Sequence, residues 1–326
     1  MKRVRNMSTA FNSWLQANVG AELMIGGGDV FFLVPTTSST AQFIDWLQAN
    51  GVDESHYFTS FPTAYAALTD GRNDILVVLP GNHAVTAAQT WAKSYTHLVG
   101  AGALVPVNQR ARISTVTTTV SPLITISGSG CTFKNVMFDH QGSNATTAGV
   151  VCNLSGARNR FESVTFRHIG ALATASDTYR ALQIASSNGE HYFKNCTIGA
   201  DTTDAGTASN YVIEFNGANQ TARNVFEDCI IFGNGSANQC FILATTTSSL
   251  SSVNIFKRCI FYNNDNGSMD AMTQAFSLAG ASGGHIILMD CLVYGASAYE
   301  SSDSGVLYGR NAYAAATTDT AVALTY

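Results

Sequence analysis

Cysteine, histidine and acidic residues are the side chains in this sequence that could do chemistry. Cysteine recurs in one local pattern, at Cys196, Cys229, Cys259 and Cys291. Thiols in a fixed pattern can bind a metal or take part in redox chemistry. The chain, however, has an odd number of cysteines, seven, and contains neither a CxxC nor an HxxxH pair. We therefore interpret these thiols as reduced, buried groups that pack as small hydrophobic side chains.

Two histidines and two acidic pairs remain as possible ligands. His140 and His168 occupy the same place in two copies of a repeat, where they could bind a metal or serve as turn residues bonded to backbone. The acidic pairs lie in predicted loops, where they could bind Ca²⁺ or stay solvated: Asp201 with Asp204, and Asp265 with Asp270. No GxSxG, Walker or dinucleotide-binding fingerprint occurs in the sequence.

The elements that position these residues come from an internal repeat of one apolar residue, two mostly polar residues, a small residue, and alternating apolar positions. Six copies are spaced by 28, 32, 33, 30 and 32 residues. They read FKNVMF from Phe133, FESVTF from Phe161, FKNCTI from Phe193, FEDCII from Phe226, FKRCIF from Phe256 and LMDCLV from Leu288. A second alternating run precedes each copy, so each unit holds at least two short strands. This pattern predicts a parallel β-solenoid with two or three strands per turn.

The motif predicts which side chains face the core. The first, fourth and sixth positions point inward, whereas the second and third turn a corner and face solvent. Equal positions of stacked parallel strands then form columns through the core. The fourth column begins with Val136 and Val164 and continues with the four cysteines.

Composition narrows the class of protein. Of the 326 residues only 12% are charged, and the net charge is −5. No basic stripe runs along the chain, so we expect no nucleic acid partner. No run of 18 apolar residues occurs, so we expect no transmembrane helix and no membrane partner. The basic N-terminus also lacks the apolar segment of a signal peptide.

The repeat and the segments that precede it resemble the pectin-lyase-like, right-handed parallel β-helix superfamily. The segments are TAYAALTDGRNDILVVLPGNHAV, 63–85, and THLVGAGAL, 96–104. The expected fold is all-β: a right-handed parallel β-helix with a small α/β N-terminal capping region and an extended C-terminal arm. The predicted boundaries are an attachment and capping region at 1–62, the β-helix at 63–311 and the arm at 312–326. A helix from Thr63 to Leu68 would cover the open end of the core.

This resemblance implies activities to look for. Many members cleave polysaccharides; the lyases bind Ca²⁺ through carboxylates on neighbouring coils, and the hydrolases gather several aspartates on one outer face. The outward fifth and seventh motif positions contain one carboxylate, Asp139, among twelve residues. Glu214 and Gln183 on the second strand look isolated. From these positions we expect a protein that is not an enzyme and has no catalytic residue, metal or cofactor.

The same outward positions carry six apolar or aromatic residues on three successive coils, here named the apolar strip. Its members are Ile230, Phe232, Ile260, Tyr262, Leu292 and Tyr294. Exposed patches of this kind are contact surfaces. Three interpretations stay open: the strip packs another subunit of a homo-oligomer, it is covered by the chain's own arm, or its aromatic rings stack on sugars.

The predicted function follows from a second resemblance, to phage proteins. GRNDILVVLPGNHAV resembles segments of β-helix proteins encoded among phage virion genes. We expect a virion structural protein assembled in the host cytoplasm, most specifically a trimeric capsid decoration or cement protein. Its N-terminal region would bind the major capsid protein or another virion protein through Lys2, Arg3, Arg5 and Trp14. The alternatives are a tailspike or tail-fibre protein that binds or depolymerises surface polysaccharide, and a cell-surface β-helix exported by a non-classical route.

Overall fold

The structure is a computed structural model, and it describes most of the chain. The described residues are 9–19, 27–102, 109–117, 119–142, 149–168, 179–185, 189–200, 211–216, 222–235, 239–244, 250, 252–264, 272–278, 284–299, 306–308, 313–315 and 321–323. Within them the chain winds through three stacked sheets, A, B and C. All strand pairs among these residues are parallel except the last, β27 with β28.

The strands of each sheet are given in their spatial order. Sheet A contains β2 (Tyr57–Phe58), β1 (Val30–Leu33), β3 (Ile75–Val78), β6 (His97–Gly100), β9 (Thr132–Lys134), β12 (Arg160–Glu162), β15 (Tyr192–Lys194), β18 (Val225–Glu227), β21 (Val253–Lys257), β24 (His285–Met289) and β26 (Val306–Tyr308). Sheet B contains β28 (Ala321–Ala323), β27 (Tyr313–Ala315), β25 (Leu292–Tyr294), β22 (Ile260–Asn263), β19 (Ile230–Gly233), β16 (Thr197–Gly199), β13 (Thr165–His168), β10 (Met137–His140), β7 (Ala111–Thr115) and β4 (Gly81–Ala84). Sheet C contains β23 (Phe276–Ser277), β20 (Cys240–Ala244), β17 (Tyr211–Phe215), β14 (Arg180–Ile184), β11 (Val150–Leu154), β8 (Ile124–Ile126) and β5 (Gln89–Trp91).

The helices lie at the N-terminal end. They are α1 (Thr9–Val19), α2 (Thr40–Ala49), a 3₁₀ turn (Glu54–His56) and α3 (Phe61–Ala67). Helices α1 and α2 pack against outward residues of β1, β3 and β6, whereas α3 packs against the inward residues of the same sheet. In the described part of the chain, no helix is both long and apolar enough to span a membrane.

Helix α3 closes the N-terminal end of the core. Phe61, Ala64 and Leu68 are buried and join the main hydrophobic cluster. The Lys93 ammonium donates hydrogen bonds to the carbonyl oxygens of Tyr65, Ala66 and Leu68, at 3.0, 2.9 and 2.5 Å. These carbonyls belong to the last turn of the helix, where a cation is favourable, and the Tyr65 carbonyl also accepts from the Leu68 N–H at 3.2 Å. The predicted capping helix is therefore confirmed. Its last turn is held by Lys93, which lies in the turn after β5.

The first motif position forms a continuous stack of phenylalanine rings. The ring centroids of Phe133, Phe161, Phe193, Phe226 and Phe256 are separated by 5.0, 4.7, 4.4 and 4.3 Å in order, and the interplanar angles stay at or below 11°. All five rings are fully buried. Parallel strands lie about 4.8 Å apart, so each ring meets its counterpart in the next coil. The predicted inward position and solenoid repeat are confirmed.

The corner between sheets A and B is made by one residue with a left-handed backbone. It is the third motif position, with φ between 52° and 56° in all six copies: Asn135, Ser163, Asn195, Asp228, Arg258 and Asp290. Asparagine and aspartate tolerate this conformation better than most residues, which accounts for four of the six.

Behind this corner the cysteines form the predicted column. Each thiol donates to the carbonyl oxygen of the phenylalanine one coil earlier; the Cys229 Sγ lies 3.6 Å from the Phe193 oxygen, and the Cys291 Sγ lies 3.2 Å from the Phe256 oxygen. All seven cysteines are free and buried. Burial raises the pKa of the Cys152 and Cys229 thiols, so these groups are protonated hydrophobic side chains.

A column of buried polar side chains joins sheet C to sheet A. Asn159 accepts from the backbone N–H of Cys131 at 2.8 Å, Asn224 accepts from that of His191 at 3.0 Å, and Asn254 accepts from that of Asn224 at 3.2 Å. In the same column His191 Nδ1 accepts from the Asn159 N–H at 3.2 Å. Each side chain thus satisfies a backbone donor of the preceding coil, which a buried turn requires.

Candidate functional site

The outer face of sheet B carries two columns of outward side chains, because successive strand residues alternate between core and surface. In one column Met137, Thr165, Thr197, Ile230, Ile260 and Leu292 follow one another in register. The other column reads Ser114, Asp139, Arg167, Gly199, Phe232, Tyr262 and Tyr294; its Arg167 and Gly199 occupy equivalent positions on β13 and β16. The second column, here named the outer column, therefore runs from polar groups to aromatic rings.

Asp139 is the carboxylate of the outer column, and it is fully buried, with 0% of its surface exposed. Phe138 beside it points inward and stacks on Phe166, with ring centroids 5.8 Å apart, so strand alternation directs Asp139 outward. The Gln141 amide donates a 2.6 Å hydrogen bond to Asp139 Oδ2. The other oxygen, Oδ1, has no hydrogen-bond partner among the described residues. A buried acceptor without a donor is unfavourable, and a bound molecule that donates a hydrogen bond would satisfy it.

The neighbours of Asp139 in the outer column are polar as well. Arg167 pairs with it in register on the next coil, about 4.8 Å further along the solenoid. On the preceding coil Ser114 is buried, and its hydroxyl donates to Asn82 Oδ1 at 2.6 Å. A carboxylate between a hydroxyl and a guanidinium is an arrangement that can move a proton and hold an anionic oxygen.

Glu214 on sheet C offers a comparison with Asp139. It is buried, and both of its oxygens have partners: Arg180 Nη2 donates to Oε1 at 3.1 Å, and Arg180 Nε and Gln183 donate to Oε2, the latter at 2.7 Å. The Arg180 guanidinium also lies over the Tyr211 ring, 5.4 Å from its centroid. The expectation that Glu214 and Gln183 are isolated is wrong, because the strand register brings them side by side. A carboxylate saturated in this way is a structural group.

The apolar strip occupies the C-terminal half of the same face. Ile260 and Leu292 are 40% and 42% exposed, and Ile230 is partly exposed. Tyr262 and Tyr294 stack with centroids 5.2 Å apart and an interplanar angle of 11°. Phe232 meets Tyr262 edge-on at 6.4 Å. The predicted six residues are therefore brought together on the surface, while what they contact stays a prediction.

His140 is the one other predicted ligand whose side chain the structure describes. The His140 ring bonds the Val120 carbonyl, which fits the turn-residue interpretation, and its strand partner is His168. The side chain of His168 and both acidic pairs lie outside the described residues. In the described part of the chain no three His, Cys, Asp or Glu side chains converge. The neighbours of Asp139 in the outer column are Ser114 and Arg167, and a guanidinium repels a cation, so a Ca²⁺ site between carboxylates of adjacent coils does not fit there.

Of the four predicted attachment residues, the structure describes Trp14 alone. Lys2, Arg3 and Arg5 lie outside the described residues. Trp14 on α1 is half-buried and stacks on Phe11, with ring centroids 5.5 Å apart. It faces α2, where Trp46 lies 5.1 Å away at an angle of 80°. Attachment to a shell through this region stays a prediction.

Sequence reasoning missed the partners of the two carboxylates. Gln141 lies two residues after Asp139 and outside the repeat motif. Arg180 lies 34 residues before Glu214, close to one repeat length, and that spacing was an available signal of neighbouring coils.

Comparison with known proteins identifies the fold. No protein-family model matches the chain, and no curated protein does either. Among solved structures, a pectate lyase, Pel9A, is similar with a TM-score of 0.52 and 17% identity, over 83% of this chain and 65% of that one. A pectin methylesterase in complex with hexasaccharide VII has a TM-score of 0.50 and 12% identity, over 87% of this chain and 89% of that one. The chain thus spans 65% of the length of the pectate lyase.

These similarities correct one expectation. The structures that share the fold are described as enzymes, so the prediction that this chain is not an enzyme is wrong. That prediction rests on a count of outward carboxylates, and such a count does not register that Asp139 is buried with Arg167 as its strand partner. The fold expected from the sequence, by contrast, is confirmed: the chain is a right-handed parallel β-helix. The resemblance to phage virion proteins stays a prediction.

Proposed function

We propose that the chain is a polysaccharide-active protein that binds a glycan along the outer face of sheet B and modifies it beside Asp139. The observation that carries this proposal is the outer column. One register of side chains runs from Asp139 and Arg167 to Phe232, Tyr262 and Tyr294. Fold alone does not assign a function, so the proposal rests on these residues.

The aromatic end of the column would hold the sugar. Sugar rings have apolar C–H faces, and exposed aromatic and aliphatic side chains bind such faces while polar groups fix their orientation. Ile260 and Leu292 flank Tyr262 and Tyr294 on the neighbouring column and widen the contact. Gly199 leaves bare backbone between this end and Arg167, and a Cβ there would lie 2.0 Å from the Phe232 carbonyl oxygen.

The polar end would do the chemistry. A sugar hydroxyl could donate to Asp139 Oδ1, which has no partner among the described residues, and the carboxylate would then accept or return that proton. Arg167 would bind an anionic or developing negative oxygen on the same sugar. Gln141 would keep the carboxylate in place through its 2.6 Å hydrogen bond. Because Asp139 is buried, the sugar must displace the atoms that cover it.

Among the functions predicted from the sequence, this one corresponds to the tailspike or tail-fibre alternative. It replaces the interpretation as a non-enzymatic capsid decoration protein. The virion location, the trimeric state and a virion protein as partner stay predictions.

The test is an activity screen of the full chain against acidic and neutral polysaccharides, with pectin and pectate among them. Release of reducing ends, unsaturated sugar or methanol is measured. We expect product from the wild type and about a thousand-fold less from Asp139→Asn. Asp290→Asn is the matched control, because Asp290 is an exposed corner residue of a type already occupied by asparagine at Asn135 and Asn195. No product from any polysaccharide, or equal rates for the two variants, would refute the proposal.

A further inference from the structure

A cavity of about 470 Å³ opens between the N-terminal helices and the edge of sheet A, away from the outer face of sheet B. Its walls include Trp14 of α1, Phe43 and Trp46 of α2, Ser39 and Gln42 at the start of α2, and Pro80 after β3. Cavities of this size, lined by aromatic side chains with a few polar groups, are typical ligand sites.

The order of helices and strands explains where the cavity lies. The chain leaving β1 passes to α2 on the outer side of sheet A, where α1 packs as well. The cavity lies where these two helices meet the turns after β3 and β6, beside Leu79, Pro80, Ala101 and Gly102.

Its aromatic wall is fixed before any ligand enters. Phe11 is buried and stacks on Trp14 at 5.5 Å, with an interplanar angle of 16°, so the indole that lines the cavity is held against the core. Trp46 meets both Phe11 and Trp14 edge-to-face, at 5.0 and 5.1 Å, and remains 36% exposed. Rings that hold one another in this way lose little freedom on binding.

The polar groups of the lining indicate the chemistry of the ligand. The described residues that line this cavity carry no charged side chain, so among them an ionic ligand would find no counter-charge. A wholly apolar ligand would cover the Gln42 amide and the Ser39 hydroxyl, which makes no capping hydrogen bond with α2, without giving them partners. Hydroxyl groups both donate and accept, as serine and glutamine side chains do. A neutral ring with apolar faces and hydroxyl edges fits both the aromatic and the polar walls.

We propose that this cavity binds a neutral sugar unit, as a second glycan site separate from the outer face of sheet B. The proposal shares no residue with the proposed function, and either can fail alone. Binding here would hold a glycan at the end of the solenoid where the α-helices lie, whatever happens at Asp139.

Tryptophan fluorescence of the full chain tests this site. Two of the three tryptophans line the cavity, while Trp91 is fully buried in the main core. Maltohexaose, cellohexaose, mannohexaose and hexagalacturonate serve as probes. We expect a saturable change with at least one neutral probe and none with hexagalacturonate at the same concentration.

Variants then locate the response. Trp46→Ala should weaken binding at least about ten-fold, and Gln42→Ala by a smaller factor. Gln48→Ala is the control, because Gln48 lies on the same helix, bonds Tyr57 and does not line the cavity. Circular dichroism melts confirm that each variant is folded. The site is rejected if no neutral probe gives a saturable change, if Gln42→Ala and Gln48→Ala bind alike, or if hexagalacturonate binds as well as the neutral probes. Asp139→Asn should leave this response unchanged.

Discussion

Sheets B and C each place one buried carboxylate on their outer faces, and the two differ in how fully they are bonded. Glu214 on sheet C receives hydrogen bonds on both oxygens from Arg180 and Gln183. Asp139 on sheet B receives one from Gln141, and its second oxygen has no partner among the described residues. The two acids are equally buried, so burial alone does not distinguish them. Under the proposed function the distinguishing property is the unmet acceptor of Asp139, which a ligand would supply with a donor.

The largest effect should come from Asp139. Asp139→Asn keeps the size of the side chain and removes the proton-accepting oxygen, so we expect about a thousand-fold loss of polysaccharide turnover and a stability change within about 1 kcal/mol. Product release and urea unfolding measure the two quantities. A variant that unfolds readily would place Asp139 with Glu214 among the structural acids.

Glu214 should show the opposite pattern. Glu214→Gln leaves the Arg180 guanidinium, whose side chain is 12% exposed, without its counter-charge, so we expect a loss of about 3 kcal/mol in the free energy of unfolding. Residual activity per folded molecule should stay near that of the wild type. Glu190→Gln is the control: Glu190 pairs with Arg158 and Arg223 at the surface, where solvent screens the charges, and its unfolding midpoint should move far less.

His191 is a buried basic group that can be compared with the two buried acids. Burial lowers the pKa of His191 to about 3, and its Nδ1 is already occupied by the Asn159 N–H. The unfolded chain binds the proton near pH 6.5 and the folded chain does not, so stability is full above pH 6.5 and falls toward pH 3. We expect a loss of about 2.5 kcal/mol at pH 4.5 relative to pH 7.

His191→Asn should flatten this dependence, since asparagine fills the same column at Asn159 and Asn224. Urea unfolding at a series of pH values measures it. Part of the slope should remain because burial also lowers the pKa of His97, to about 4. An unchanged slope in the variant would show that His191 is not the group that titrates.

The smallest effect on stability should come from the apolar strip. Leu292 is 42% exposed, so Leu292→Asp should change the free energy of unfolding by no more than about 0.5 kcal/mol while weakening glycan binding about ten-fold. Val116, which is 71% exposed and outside the strip, supplies the control Val116→Asp. Light scattering is run alongside, and a smaller molecular mass for Leu292→Asp alone would instead make the strip a subunit contact.

Much of the fold was predictable because its signal is local. The alternation of apolar residues and the fixed motif place Phe193, Cys196 and Ile198 inward without knowledge of the neighbouring coil. The left-handed corner was harder to see, since Arg258 and Ser163 stand there as well as Asn and Asp, and the tight turn selects the conformation more than the residue.

The site was less predictable because its signal is the register between coils. Arg180 and Glu214 meet because 34 residues bring the chain once around the solenoid, and the polar column of Asn159, His191 and Asn224 stands two residues before each motif. The spacing of the Arg180–Glu214 pair and the position of the polar column can both be read from the sequence once the repeat is aligned. The burial of Asp139 cannot be read from it, because burial depends on what packs over sheet B rather than on the strand itself.

The corner between sheets A and B, where two residues separate the strands in every copy, also bears on how such a chain can change in evolution. The corner has the same length and backbone conformation in all six copies. The phenylalanine stack and the cysteine column therefore keep the same position in every coil. An insertion at that corner would rotate every later column, whereas the turn between sheets B and C separates β10 from β11 by nine residues and β19 from β20 by six. A duplication that lengthens the solenoid therefore has to add whole coils. Insertions are tolerated best in the turns after the sheet B strands, next to the face that we assign to the glycan.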